Sequence, residues 1–326
     1  KYGLGKGWMG ILFAVLMIIT FGFAYNSVQS NTICLAWQKA FGIEPATMGI
    51  VLTVLTLLII FGGIQRVAKF SSTVVPVMAV VYLLIAVGVV IWNITSLPKV
   101  LLAIVENAFG LNQAAGGVLG VTVIQGIKRG LFSNEAGEGS APNAAAVATV
   151  SHPVKQGLIQ ALGVFTDTLV VCSCTAFIIL VSGVDVTASN GIQLTQDALT
   201  HEIGSIGNPF VAVMICLFAF SSIIGNYYYG ETNVRYIRDS KLGVFIYRLA
   251  VAAMVMVGAV VSLDFAWSFA DITMALLTLC NLVAIVLLSR QAVFLLQDYR
   301  QQKKEGKNPV FCKDKMPEIA DKLEAW

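Results

Sequence analysis

The sequence predicts an all-α protein that crosses a membrane several times, and three observations carry that prediction. First, 57% of its 326 residues are hydrophobic and only 12% are charged, with mean hydropathy +0.81; soluble domains hold about 25% charged residues. Second, eight apolar stretches approach or exceed the roughly 20 residues that a helix needs to cross a bilayer. Third, Lys and Arg concentrate on alternate connections between those stretches. The formal net charge of +3 is too small to argue for a nucleic-acid partner.

The stretches run over 8–35, 48–65, 74–94, 114–150, 157–181, 209–229, 242–263 and 265–288, within one transmembrane domain over 1–289. Residues 97–109 and 192–203 read as amphipathic connecting helices. From 290 the run VFLLQDYRQQKKEGK and the polar end to 326 read as a cytoplasmic tail whose helix lies at the membrane interface. With the N-terminus inside, the inner segments hold Lys1, Lys6, Arg66, Lys69, Lys155, Arg235, Arg238, Lys241 and the basic tail. The outer segments hold Lys39 and Lys99, and 182–208 has neither Lys nor Arg. Every connection agrees, so both termini are expected in the cytoplasm. The chain opens on Lys1 rather than Met and reads as the remainder of a longer protein. Its six cysteines (Cys34, Cys172, Cys174, Cys216, Cys280, Cys312) are scattered and read as small buried hydrophobes.

One stretch does not fit a plain span. GIKRGLFSNEAGEGSAPNAAAVATV, from Gly126 to Val150, breaks into a polar, Gly-rich run over 133–140 and is expected to resume as an Ala-rich helix after Pro142. In hydrocarbon, unwound backbone survives where it lines a cavity or is buried in protein. The break therefore reads either as a binding site or as an ordinary loop between two short helices. As a site it offers free carbonyls near Phe132 and free N–H groups near Ser140, one end for cations and one for a carboxylate.

Ionisable groups inside spans are functional candidates, because each costs a few kcal/mol on insertion scales. Here they are Asp167, Asp271, Lys128, Arg129, Glu135 and Glu138. The plainer reading pairs Arg129 with Glu135 or Asp167. Arg248 lies near a span end and is expected to snorkel to water. Asn26 and Gln29, in GFAYNSVQSN, share a helical face and serve either as interhelical glue or as a substrate-facing amide. Ser221 and Ser222, in FAFSSIIGNYYYGE, are mid-depth hydroxyls of the kind that ligate an alkali cation, followed by Gly225 and Asn226. At least two of Tyr227, Tyr228 and Tyr229 read as an interfacial belt.

An intramembrane enzyme is disfavoured: the only histidines, His152 and His201, fall in expected loops, and no HExxH or GxSxG is present. A channel is the closer rival, but one break among dissimilar spans reads as a carrier.

GLFSNEAGEGSAPNAAA, GFAYNSVQSN, FAFSSIIGNYYYGE and DYRQQKKEGKNPVF together resemble the sodium:alanine (alanine or glycine:cation) symporter family, over essentially the whole chain. The resemblance implies an inverted five-plus-five repeat of the leucine-transporter type, with the first two core helices missing from this chain. It also implies Na⁺-coupled uptake of a small neutral amino acid in a bacterial or archaeal cytoplasmic membrane. Na⁺ would be the coupling ion with no other cofactor, the partners would be the substrate and the lipid bilayer, and a monomer is expected. Carried onto these residues, the resemblance makes Gln29 a pocket amide and Phe132, Ser133, Asn134, Ala136 and Gly137 the unwound wall. Ser221 and Ser222 become Na⁺ ligands or close to them. Many members have Trp where Asn226 stands. A short amide there enlarges and polarises the pocket, which brings in a larger polar substrate such as glutamine.

Overall fold

In a computed structural model, residues 4–62, 64–109, 116–317 and 320 are described. Lys1, Ala114 at the expected start of the broken segment, and the last residues of the tail lie outside them. The described residues are helical almost throughout: α1 Gly7–Phe41, α2 Pro45–Gly62, α3 Ile64–Trp92, α4 Leu97–Ala108, α5 Gly116–Asn134, α6 Ala141–Ala145, α7 Pro153–Val181, α8 Ile192–Ile203, α9 Gly207–Ile237, α10 Lys241–Val260 and α11 Leu263–Lys304. Six stretches among them are long and apolar enough to cross a membrane. They become seven if 76–92 and α4, bent by 102° from each other, count as one span. Eight were expected. The broken segment does not reach the threshold, because Gln125, Lys128 and Arg129 dilute α5 and the helix beyond the break has only five residues. The Ala-rich half thus stops well short of 150: Asn143 turns its amide back onto the Ser140 carbonyl at 3.0 Å, and Pro153 bars a helix from running on into α7.

The centre of the bundle is α1, gripped by α9 and α10. Lipid gives helices no hydrophobic push toward each other, so small residues and hydrogen bonds must do the gluing. Ser30 donates to the Val255 carbonyl at 2.6 Å, and Asn31 donates to the Gly258 and Val261 carbonyls at 3.0 and 2.8 Å. Gly258 is obligatory there: a methyl group would lie 2.5 Å from the Ser27 Cα. The C-terminal end of α1 is capped by α8, whose buried Gln196 donates to the Ala36 carbonyl at 3.0 Å. Beside it Lys39 pairs with Asp197 at 2.5 Å. His201 lies in the last turn of α8 rather than in a loop.

Three expectations change. Arg248 does not snorkel: it donates to the Tyr227 hydroxyl at 2.9 Å and to Glu231 at 3.3 Å, because α9 offers it an acid. The tyrosine belt is not there for two of the three. Tyr227 is buried against Tyr247, and Tyr229 lines two cavities. The tail helix from 290 is not a separate element, since α11 runs unbroken for 42 residues to Lys304. Beyond it a strap folds back. Phe311 N–H donates to the Ser151 carbonyl at 2.9 Å, and Ser151 donates to the Pro309 carbonyl at 2.9 Å.

Candidate functional site

The break is built by backbone that side chains hold in place. Glu135, Gly137 and Gly139 adopt φ of +55°, +97° and +83°. A glutamate in the left-handed region is strained, and such strain gathers at functional sites. Asn134 accepts from Ala136 N–H at 3.0 Å while donating to Thr168 at 2.9 Å. Ser133 donates to Asp167 at 2.6 Å, and Ser140 donates to Glu135 at 2.5 Å. From α1, the Tyr25 hydroxyl donates to Glu138 Oε1 at 2.6 Å. Glu138 is fully buried, and its Oε2 has no hydrogen-bond partner among the described residues.

Two of the spans that meet the break, α1 and α7, do so through a π-turn, Thr20–Tyr25 in the first and Asp167–Cys172 in the second. A π-turn widens the helix and re-aims a side chain, and it recurs at functional sites. Here one π-turn delivers Tyr25 and the other delivers Asp167.

Two cavities flank the unwound chain. The smaller, about 340 Å³, is lined by Gln29, Phe132, Ser133, Ser221, Ser222 and Asn226, together with Tyr25, Glu135, Gly225 and Tyr229. Six of the nine candidate residues thus come from α1, the break and α9 to one space. Asn134, Ala136 and Gly137 line its neighbour of about 500 Å³, with Ser133, Glu135 and Tyr229 shared and Gln160, Asp167 and Asn281 added. The wall expected to face one pocket therefore separates two. Ser221 and Ser222 both donate to the Phe218 carbonyl, at 2.7 and 3.2 Å, which leaves their oxygen lone pairs free to accept a cation. Asn26 is buried and accepts from Asn226 at 3.2 Å, so of the Asn26–Gln29 pair the first is glue and the second faces the cavity.

The mid-membrane charges do not pair as expected. Arg129 bonds Asp271 rather than Glu135 or Asp167, and Lys128 joins it at 3.3 Å. Asp167 takes the Ser133 hydroxyl instead. The end beyond the break also differs from expectation. With five residues α6 has little dipole to offer, and within the loop itself the N–H groups of Ala136 and Glu138 are already used.

The family model described as "Sodium:alanine symporter family" matches residues 1–313 of the chain. The chain belongs to that family. Relatives agree: it is 54% identical over 313 residues to the "Probable sodium/glutamine symporter GlnT" of Bacillus subtilis, covering 96% of this chain and 66% of the relative. It is 51% identical to the "Amino-acid carrier protein AlsT" of the same organism, covering 99% and 69%. The "Sodium/alanine symporter AgcS" of Methanococcus maripaludis is 34% identical, covering 94% and 68%. The chain therefore spans about two thirds of the length of these relatives. This is a family of sodium-coupled transporters rather than enzymes, and with its several spans the chain is a multi-pass membrane protein.

Within that family frame, Tyr25, Tyr229 and Asp167 join the cavity linings, and sequence reasoning did not assign them there. Tyr25 lies within the run GFAYNSVQSN already singled out, and Asp167 stood out as a charge in a span. Gln160 and Asn281 gave no signal, since each is an isolated amide in an apolar helix.

Proposed function

We propose that the chain forms the larger part of a secondary carrier that couples inward Na⁺ movement to uptake of a small neutral amino acid. The observation that carries this is the meeting of Gln29, Phe132, Ser133, Ser221, Ser222 and Asn226 around one cavity beside the break. At about 340 Å³ the cavity sits at the low end of the roughly 300–1,000 Å³ of small-molecule sites. Gln29 and Asn226 are its amides, Phe132 and the unwound chain its wall, and Ser221 and Ser222 the hydroxyls for Na⁺. Asn134, Ala136 and Gly137 act as the back of that wall. The reading includes the inverted-repeat fold, alternating access, a bacterial or archaeal cytoplasmic membrane, cytoplasmic termini and a monomer.

Between alanine or glycine and a larger polar substrate, Asn226 favours the larger. It is a short amide tied to Asn26 where many members carry an indole, and a relative at 54% identity is named a glutamine symporter. Uptake of radiolabelled alanine, glycine and glutamine by the complete protein in proteoliposomes, with and without Na⁺, tests both parts. Na⁺-independent uptake overturns the coupling. Asn226→Trp is expected to lower glutamine uptake about tenfold while sparing alanine, the scale of one misfit group in a pocket. Glutamine uptake that ignores the substitution sinks the substrate assignment.

A further inference from the structure

One face of α11 backs the break along its whole length. Trp267, Asp271, Thr278, Asn281 and Ile285 follow one another at helical spacings of four, seven, three and four, so they form a single stripe. Asn281 donates to the Gly137 carbonyl at 2.8 Å, and Thr278 lies against Gly137. At the other end of the stripe the contacts are charged. Asp271 receives both Arg129 and Lys128. The Arg129 guanidinium lies 4.1 Å from the Trp267 ring centre, and the Trp267 ring stands 4.7 Å from that of Phe132. Phe132 in turn stands 4.6 Å from Tyr25, whose hydroxyl holds Glu138.

Neutralisation alone does not explain this arrangement. Asp271 lines neither cavity, and a single cation would balance its charge. Arg129 and Phe132 lie three apart on α5, hence on one face, and Trp267 touches both. A guanidinium held by a carboxylate on one side and a ring on the other is fixed in direction. That fixes Trp267, and Trp267 fixes the ring that forms the cavity wall.

We infer that Asp271 is a positioning residue for the substrate wall, setting the place of Phe132 through Arg129 and Trp267. The inference rests on the carrier reading above and adds a set of residues outside the cavity that tune its affinity. The test is uptake by the complete protein in proteoliposomes, with KM and maximal rate measured separately. Asp271→Asn is expected to raise the amino-acid KM about tenfold, the scale of a desolvated cation–π contact, with the maximal rate and the KM for Na⁺ little changed. Asp271→Glu should bring KM back toward wild type. Trp267→Phe leaves the ion pair intact, so it reports even if Asp271→Asn does not fold, and it should raise KM in the same direction. The double variant Asp271→Asn with Trp267→Phe should be no worse than Asp271→Asn alone, since both act through one contact. A KM unmoved by Trp267→Phe, or variants that lose only rate or yield, would make the cluster a structural ion pair and overturn the inference. A wild-type protein without saturable Na⁺-dependent uptake would instead remove the carrier reading, and this inference with it.

Discussion

The helix α11 meets the broken segment twice, and the two meetings are built differently. Between Trp267 and Ile285 it backs the break with an ion pair, a tilted ring contact and an amide aimed at a carbonyl. Past Arg290, in its polar end, it holds the junction after α6: Asp298 accepts from Lys315 at 2.7 Å, the buried His152 at 3.2 Å and Gln302 at 2.8 Å. Both ends use an aspartate with basic partners. The surroundings decide what each is worth, since a charge left without its partner in low dielectric has no water to fall back on, whereas at the strap water replaces a lost partner at little cost.

The largest effect expected from this contrast comes from two glycines in the same backbone region. Gly139 in the break has φ +83°, and a methyl group there would lie 2.6 Å from Asn281 Cγ and Oδ1 and 2.9 Å from Phe13 Cζ. Gly306 at the strap has φ +72° with nothing within 4 Å. Gly306→Ala should cost only the backbone penalty, about 1–2 kcal/mol. Gly139→Ala adds a clash that pushes Asn281 off the Gly137 carbonyl, so a further 1–3 kcal/mol of overpacking is expected. Thermal unfolding of the purified variants compares them, and equal losses would mean that the break is as open as the strap.

A second way to sharpen the contrast is pH. Burial pushes the Asp298 carboxyl up, but hydrogen bonds from Lys315, His152 and Gln302 outweigh it and hold the group below the usual carboxylate range. A carboxylate depressed in the folded state contributes stability above its unfolded pKa, about 3.9, and that stability fades as pH falls through the lower folded value. The strap should therefore stay closed from about pH 8 down to about pH 5. Hydrogen exchange at the Phe311 amide, expressed as protection, reads this directly. Protection lost between those values would assign control of the strap to another group.

The sequence revealed the break more readily than what holds it. Glycines, Pro142 and a polar run inside an apolar segment are local signals, and they mark 133–140 without any structure. The cavity was also legible in outline, because Gln29, Ser221, Ser222 and Asn226 are polar where a span should be apolar. The backing stripe on α11 was not. Trp267, Thr278, Asn281 and Ile285 sit in a helix apolar on most sides, as a lipid-facing helix also is, and only packing shows which face meets the break. The π-turns leave no composition signature, since they are a choice of hydrogen-bond register. Arg129 was read against Glu135 and Asp167, its neighbours in sequence or depth, and the partner came from the far end of the chain. The strap escaped for a similar reason, because His152 reads as a loop residue until Tyr299 and Phe311 close over it.

The smallest effect belongs to Lys315→Ala, and it tests the contrast where it is most exposed. Lys315 and Asp298 form an ion pair at 2.7 Å with side chains 38% and 16% accessible. On distance this pair would rank above Lys128 and Asp271 at 3.3 Å, and those side chains are no less accessible, at 40% and 20%. Three considerations put it far lower. Water reaches Lys315, so its charge is solvated with or without the partner. Asp298 keeps two other donors, His152 and Gln302, when Lys315 is gone. The strap's main-chain bonds between Ser151, Pro309 and Phe311 do not involve the pair at all. The expected loss is at most a few tenths of a kcal/mol, and it should shrink further as salt is added. Unfolding of Lys315→Ala at low and high salt measures it. A loss approaching that of Gly139→Ala would show that the strap is as tightly built as the break, and that dielectric is not what separates the two ends of α11.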